Sequence, residues 1–171
     1  ANSMVKADGD SIISIEDVSD FGMVTIKANF SDAQIHNLIR IETGVETPKI
    51  GKISFGKKLS VAWMSVDELA IILRDREADK ITKKFKQKLK NHHHLCVNMS
   101  DSRRCFRLLG KGWREILSKG SPSDLRPGVF GAGSFRRTRI VNLAVGIWAV
   151  NEAEAYIFTM HSVGSFLSNW L

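Results

Sequence analysis

From Met23 the chain alternates: Val24, Ile26, Ala28 and Phe30 fall on one side, Thr25, Lys27 and Asn29 on the other. A period of two marks a half-buried strand. The period then lengthens. Ser31 and Gln34 stand in a capping-box pattern ahead of Ile35, Leu38 and Ile39, which share one face of a helix closed at Thr43-Gly44. Beyond Pro48, the segments 50–55 and 59–64 read as strands joined at Gly56-Lys57. A second capping-box pattern, Ser65 with Glu68, predicts a helix that turns Leu69, Ile72 and Leu73 inward, with a break at 74–77. Ile81, Phe85 and Leu89, four apart, predict a further helix surrounded by six lysines between Lys80 and Lys90. The segment 94–100 then reads as a strand with Leu95, Val97 and Met99 on one face.

That order, β-α-β-β-α-β, is the ferredoxin-like arrangement, and the rest of the chain nearly repeats it. Residues 105–109 read as a strand and 113–119 as a helix, with Trp113, Ile116 and Leu117 on its apolar face and Lys119-Gly120 at its end. A long loop follows, with Pro122, Pro127 and glycines at 128, 131 and 133, yet it carries apolar Leu125, Val129 and Phe130 as a packed segment would. Strands are expected at 135–141, 143–150 and 155–161, and a last helix from Ser162 buries Val163, Phe166, Leu167 and Trp170. The fold class expected is therefore α+β, two ferredoxin-like-type halves with antiparallel sheets. Residues 21–100 form the first half, 101–171 the second, and 1–20 an acidic N-terminal tail or edge strand.

Composition narrows the class. With 171 residues, 43% hydrophobic and 25% charged, the chain can bury a core. No apolar run approaches the roughly 20 residues that span a bilayer, and no membrane partner is expected. The first residues lack the basic start and apolar core of a signal peptide. Two cysteines, Cys96 and Cys105, make neither a disulfide framework nor a zinc set, which points to a cytoplasmic setting. The net charge of +7 is uneven: residues 1–20 carry −4 and residues 103–139 carry +8. Such a distribution suits a protein partner of mixed charge or a nucleic acid.

Candidate chemistry is sparse. His92, His93 and His94 are consecutive, so an extended backbone sends them to alternate faces; only His92, His94 and Cys96 share one, and a helix-to-strand junction explains the run better than metal. The lysine-rich helix surrounds its apolar stripe on several sides and lacks aromatics at base-stacking spacing, so it reads as a solvated face. Gly128, Gly131 and Gly133 precede a strand, whereas a phosphate loop follows a strand and opens a helix. Asp124 and His161 are the polar residues in unusual settings, and each has a capping role as its plain alternative. No nucleophile-elbow motif orders a Ser, His and Asp. No catalytic, cofactor-binding or metal residue is assigned, and the chain alone shows no active site.

Several stretches in order carry a family resemblance: 62–69 (AWMSVDEL), 93–95 (HHL) leading to 100–103 (SDSR), 119–125 (KGSPSDL) with Pro127 and Phe130, 136–139 (RRTR), and 162–171. Over roughly residues 21–171 the chain resembles the gamma subunit of heterotetrameric sarcosine oxidase, a family similar to a shortened folate-binding aminomethyltransferase domain of glycine cleavage. The resemblance implies a non-catalytic structural subunit of an oxidoreductase that demethylates sarcosine to glycine, coupled to one-carbon transfer to tetrahydrofolate. It places FAD, FMN, NAD, tetrahydrofolate and zinc in the holoenzyme, with no cofactor in this chain. It also implies the alpha subunit as main partner, with the beta and delta subunits in the same heterotetramer. Ser121 and Arg126 stand where the family usually has cysteine and histidine, and Gly131 and Ala132 where it often has prolines, so those side chains are not expected to be catalytic.

Under this reading Arg126, Arg136, Arg137 and Arg139 are the candidate contacts for a partner's acidic groups, because the planar guanidinium suits carboxylates. The plain alternative is that alternate arginines of a strand face solvent. Two further functions stay open: a free-standing folate-binding protein of the aminomethyltransferase type, and a basic RNA-binding module.

Overall fold

The computed structural model describes residues 2–6 and 12–159; the helix expected from Ser162, and His161 before it, lie outside the described residues. In chain order the elements are β1 (Asn2–Lys6), β2 (Ile12–Asp17), β3 (Phe21–Ala28), α1 (Ala33–Thr43), β4 (Ile53–Phe55), β5 (Ser60–Ser65), β6 (Glu68–Arg74), α2 (Asp75–Lys88) and β7 (His94–Asn98). The remainder holds β8 (Cys105–Leu109), α3 (Trp113–Ser118), β9 (Phe135–Ile140), β10 (Leu143–Asn151) and β11 (Glu154–Thr159). Residues 20–101 make one compact unit, and the residues up to Ser19 join those from Ser102 onward in the other. The fold is α+β with an antiparallel sheet in each half.

In the first unit the strands lie in the order β4-β5-β6-β3-β7. Setting aside the three-residue β4, this is the ferredoxin-like order, in which the last strand of a β-α-β-β-α-β chain returns beside the first. Val24, Ile26, Leu69, Ile71, Ile35, Ile39, Phe85 and Leu89 make its core. α1 begins at Asp32, whose side chain accepts from the Gln34 amide at 2.9 Å, so the cap is Asp32 and not Ser31. Gly44, at φ 69°, closes the helix with its N–H on the Arg40 carbonyl.

The helix expected from Ser65 does not form. Residues 68–74 are the strand β6, entered by a two-residue turn at Val66-Asp67. The Ser-x-x-Glu pattern is local, whereas 69–73 is a continuous apolar run that becomes an inner strand, paired with β3 on one side and β5 on the other. What read as a break at 74–77 is the start of α2, which runs fourteen residues and buries Ala78, Thr82 and Phe85. β7 falls where expected, but its inward face is the opposite one. Cys96 is 2% exposed beneath α2, while Leu95 is 56% exposed.

The second unit arranges its strands β1-β2-β8-β11-β10-β9. Here β9, β10 and β11 form a meander and β8 pairs β11, so the helix-strand order resembles the first half while the pairing differs. The acidic lead is a hairpin: β1 is an edge strand, and β2 lies inside the sheet with Ile13 and Ile15 buried. Trp113, Ile116 and Leu117 of α3 pack with Phe106, Leu108, Ile147 and Ile157 in one cluster.

The β9–β10 hairpin turns on Val141 and Asn142. Val141 has φ 57°, a left-handed conformation that a β-branched side chain adopts only under strain. Val141→Gly should therefore stabilise the protein by about 1 kcal/mol in denaturant unfolding. An unchanged or lower midpoint would show the turn to be relaxed.

Candidate functional site

The longest irregular segment of the second unit, 119–134, is held from both ends. α3 stops at Ser118, capped by the Lys119 N–H on the Ile116 and Leu117 carbonyls. The chain then passes under β9, where Thr138 bonds the hydroxyls of Ser121 at 3.2 Å and Ser123 at 2.6 Å. Leu125 and Phe130 are 2% and 1% exposed and belong to the core, while Val129 points outward. The segment is thus packed, and the Ser121 and Ser123 hydroxyls are engaged with Thr138 of β9.

Two arginines complete the clamp. Arg114 donates to the Leu125 carbonyl at 2.7 Å and the Phe130 carbonyl at 2.5 Å. It also pairs with Glu152 at 2.9 Å and lies 4.3 Å from the Trp113 ring centroid. Arg136 donates to the Asp124 carbonyl at 2.8 Å and stacks over the Phe130 ring at 4.9 Å. Arg114 is a residue that sequence reasoning missed. An isolated arginine in a short helix has no local signature of a loop clamp.

The four candidate arginines divide accordingly. Arg136 is half-buried and holds the loop. Arg126 is exposed but forked onto Asp124, at 2.6 Å and 2.9 Å. Arg137 and Arg139 project together from β9, which ends the strand order, and their partners in register on β10 are Gly146 and Ala144. Both are exposed, opposite residues without a side-chain charge.

The Arg126 fork holds the Asp124 carboxyl down at about 2. A carboxyl whose folded pKa is depressed contributes stability above its ordinary range, and that contribution is lost as pH falls through the folded value. Asp124 should accordingly titrate near pH 2 by carboxyl-carbon NMR and shift toward ordinary aspartate in Arg126→Ala. An ordinary value in the parent protein would remove the fork.

Part of the contrast between an acidic lead and a basic middle is resolved inside this unit. Asp17 pairs with Arg104, and Arg107 bridges Glu154 at 2.7 Å and Glu16 at 3.3 Å across β2, β8 and β11. Part of the charge that suggested docking is therefore spent within the sheet. Burial pushes the Cys96 thiol up to about 11 and the Cys105 thiol well above its usual value, so neither is a ready nucleophile. His92 sits 3.7 Å from Asp32, and His94 Nδ1 lies 2.9 Å from the His92 carbonyl, a local junction. Among the described residues no group of three His, Cys, Asp or Glu side chains is placed to hold a metal. Among them, too, no helix is long and apolar enough to cross a membrane.

Comparison with solved structures gives the class. The chain superposes on heterotetrameric sarcosine oxidase from Corynebacterium sp. U-96, solved in complex with pyrrole 2-carboxylate, with a TM-score of 0.84 at 20% identity, covering 96% of this chain and 84% of that one. It also matches glycine cleavage system aminomethyltransferase T from Bartonella henselae, with a TM-score of 0.63 at 8% identity, covering 92% of this chain and 45% of that one. At these identities the likeness shows the fold: an α+β protein of the aminomethyltransferase-like architecture. No curated protein sequence matches the chain. The model of the sarcosine oxidase, gamma subunit family matches residues 27–170, and the chain belongs to that family.

Proposed function

We propose that this chain is a non-catalytic structural subunit of a heterotetrameric sarcosine oxidase, seated mainly on the alpha subunit with beta and delta in the same cytoplasmic complex. The observation that carries the reading is the family match across residues 27–170. The loop that most resembled an active-site segment supports it, because its polar groups are engaged in holding the loop itself. The FAD, FMN, NAD, tetrahydrofolate and zinc of the holoenzyme belong, on this reading, to the other chains. Those chains carry the demethylation of sarcosine to glycine and the one-carbon transfer to folate. Co-expression with the alpha, beta and delta chains of the same genome is the test. Failure to co-purify with them overturns the proposal.

Of the four arginines, Arg137 and Arg139 are the contacts put forward for a partner's carboxylates, because both are exposed on β9, the last strand in its sheet order. Arg137→Glu combined with Arg139→Glu should weaken assembly about tenfold, read as partner retained at physiological salt. Full retention would remove both side chains as partner contacts. The free-standing folate-binding reading rests on fold alone, which does not fix function. Calorimetry of the isolated chain with tetrahydrofolate separates it from the leading reading.

A further inference from the structure

The lysine-rich helix α2, which the proposed function leaves unused, forms one wall of a groove in the first unit. Its other walls are the end of α1 and the turn before β5, and its volume is about 600 Å³. The floor is aliphatic: Leu73 is buried, and Leu59 and Ile81 are half-buried. Six exposed cations stand around it, Lys57, Lys58, Arg74, Arg76, Lys80 and Lys84. Among the described residues two carboxylates, Glu42 and Glu77, line the same space. Of these Glu42, with its side chain 10% exposed, is held by Lys84 at 3.3 Å and Lys88 at 3.9 Å. The groove therefore keeps a strong positive excess above an apolar base. Ile41 and Phe55, neighbours in sequence of Glu42 and Gly56, are 62% and 56% exposed.

We propose that this groove docks an acidic segment of a partner subunit, one that sets an aliphatic side chain between Leu73 and Ile81 and carboxylates against the surrounding lysines and arginines. Charge complementarity selects the sign of the occupant. The floor selects its kind. Among the described residues no aromatic ring lines the groove, whereas single-stranded nucleic acid is held by stacking its bases on such rings. Exposed cations alone are worth little, because each pair with a carboxylate contributes weakly in water. An apolar anchor between them supplies the burial that makes such a contact specific.

The inference rests on the chain being a subunit of a complex, and the experiment separates the two. The parent chain, Arg76→Glu with Lys80→Glu, and Arg76→Gln with Lys80→Gln are each co-expressed with the alpha, beta and delta chains. Partner retention is then measured against salt. The expected result is about a tenfold loss for the charge reversal and a smaller loss for the neutral pair. Both variants should keep the parent's circular dichroism and melting temperature, since Arg76 and Lys80 are exposed. If the parent assembles and both variants are retained equally well, the groove proposal is overturned while the subunit reading stands. A parent that fails to assemble overturns both. If the reversed variant does not fold, the neutral pair decides, and its full retention overturns the proposal. A 12-nucleotide poly-U RNA titrated into the isolated chain tests the other occupant. Salt-steep binding that the charge reversal abolishes would assign the groove to nucleic acid and end the proposal.

Discussion

Arg114→Met should lower the unfolding free energy by about 3 kcal/mol, a loss on the order of 10 °C in melting temperature for a chain of this size. The guanidinium ties α3 to both halves of the loop, through the carbonyls of Leu125 and Phe130. Its side chain is 11% exposed, so bulk water does not readily replace it as the donor to the two carbonyls. A hydrogen bond from a charged donor is worth about 1.5–3 kcal/mol, and an acceptor left unpaired in a buried place costs a similar amount. The pairing with Glu152 adds less, because that carboxylate is 64% exposed and rehydrates. Methionine keeps much of the contact with Trp113, which isolates the polar contribution. Arg114→Lys should fall between, since an ammonium lacks the planar fork that reaches two carbonyls and a carboxylate together. Limited proteolysis within 121–131 and chemical denaturation read the outcome. Equal stability of Arg114→Met and the parent would show that Leu125 and Phe130 hold the loop by packing alone.

The strands were legible where the alternation has one buried side, as at 23–28, and where a turn residue bounds it, as at Gly56. The fold class followed from element order. Errors came from places where a local pattern competed with burial. The Ser65–Glu68 pattern matched a helix start, but a run of five apolar residues at 69–73 satisfies both faces of an inner strand, and only tertiary pairing reveals that. In β7 the alternation was right and the face was wrong, because the compact Cys96 fits under α2 while the larger Leu95 does not point there. The candidate site was half legible. Glycines, prolines and arginines marked the segment 119–139, but which arginines hold the loop depends on where Leu125 and Phe130 enter the core. Likewise the contrast between Glu16, Asp17 and the distant Arg104, Arg107 looked like a docking feature. Strand pairing some 90 residues apart turned it into an internal one.

That pairing depends on Gly110, and Gly110→Ala should cost about 3 kcal/mol. The residue closes β8 at φ +133°, a region that L side chains rarely adopt. A Cβ there would meet the Ile12 carbonyl oxygen at 2.6 Å and the Ile13 Cα at 3.0 Å, and both are backbone of the neighbouring β2. Backbone cannot rotate away as a side-chain tip can. Relief requires either a shift of β8 or withdrawal of β2, and β2 carries Ile13 and Ile15 into the core. Withdrawal would also separate Glu16 from Arg107 and Asp17 from Arg104, uncovering the acidic and basic groups that the folded sheet matches. Gly128→Ala is the control, since its Cβ meets nothing within 4 Å and its stability change should stay within about 0.5 kcal/mol. Hydrogen exchange over 12–17 should accelerate in Gly110→Ala, and the melting temperature should fall with it. Parent-like exchange in that segment would mean that the turn adapts, and that the hairpin is held by Ile13 and Ile15 independently of how closely β8 approaches.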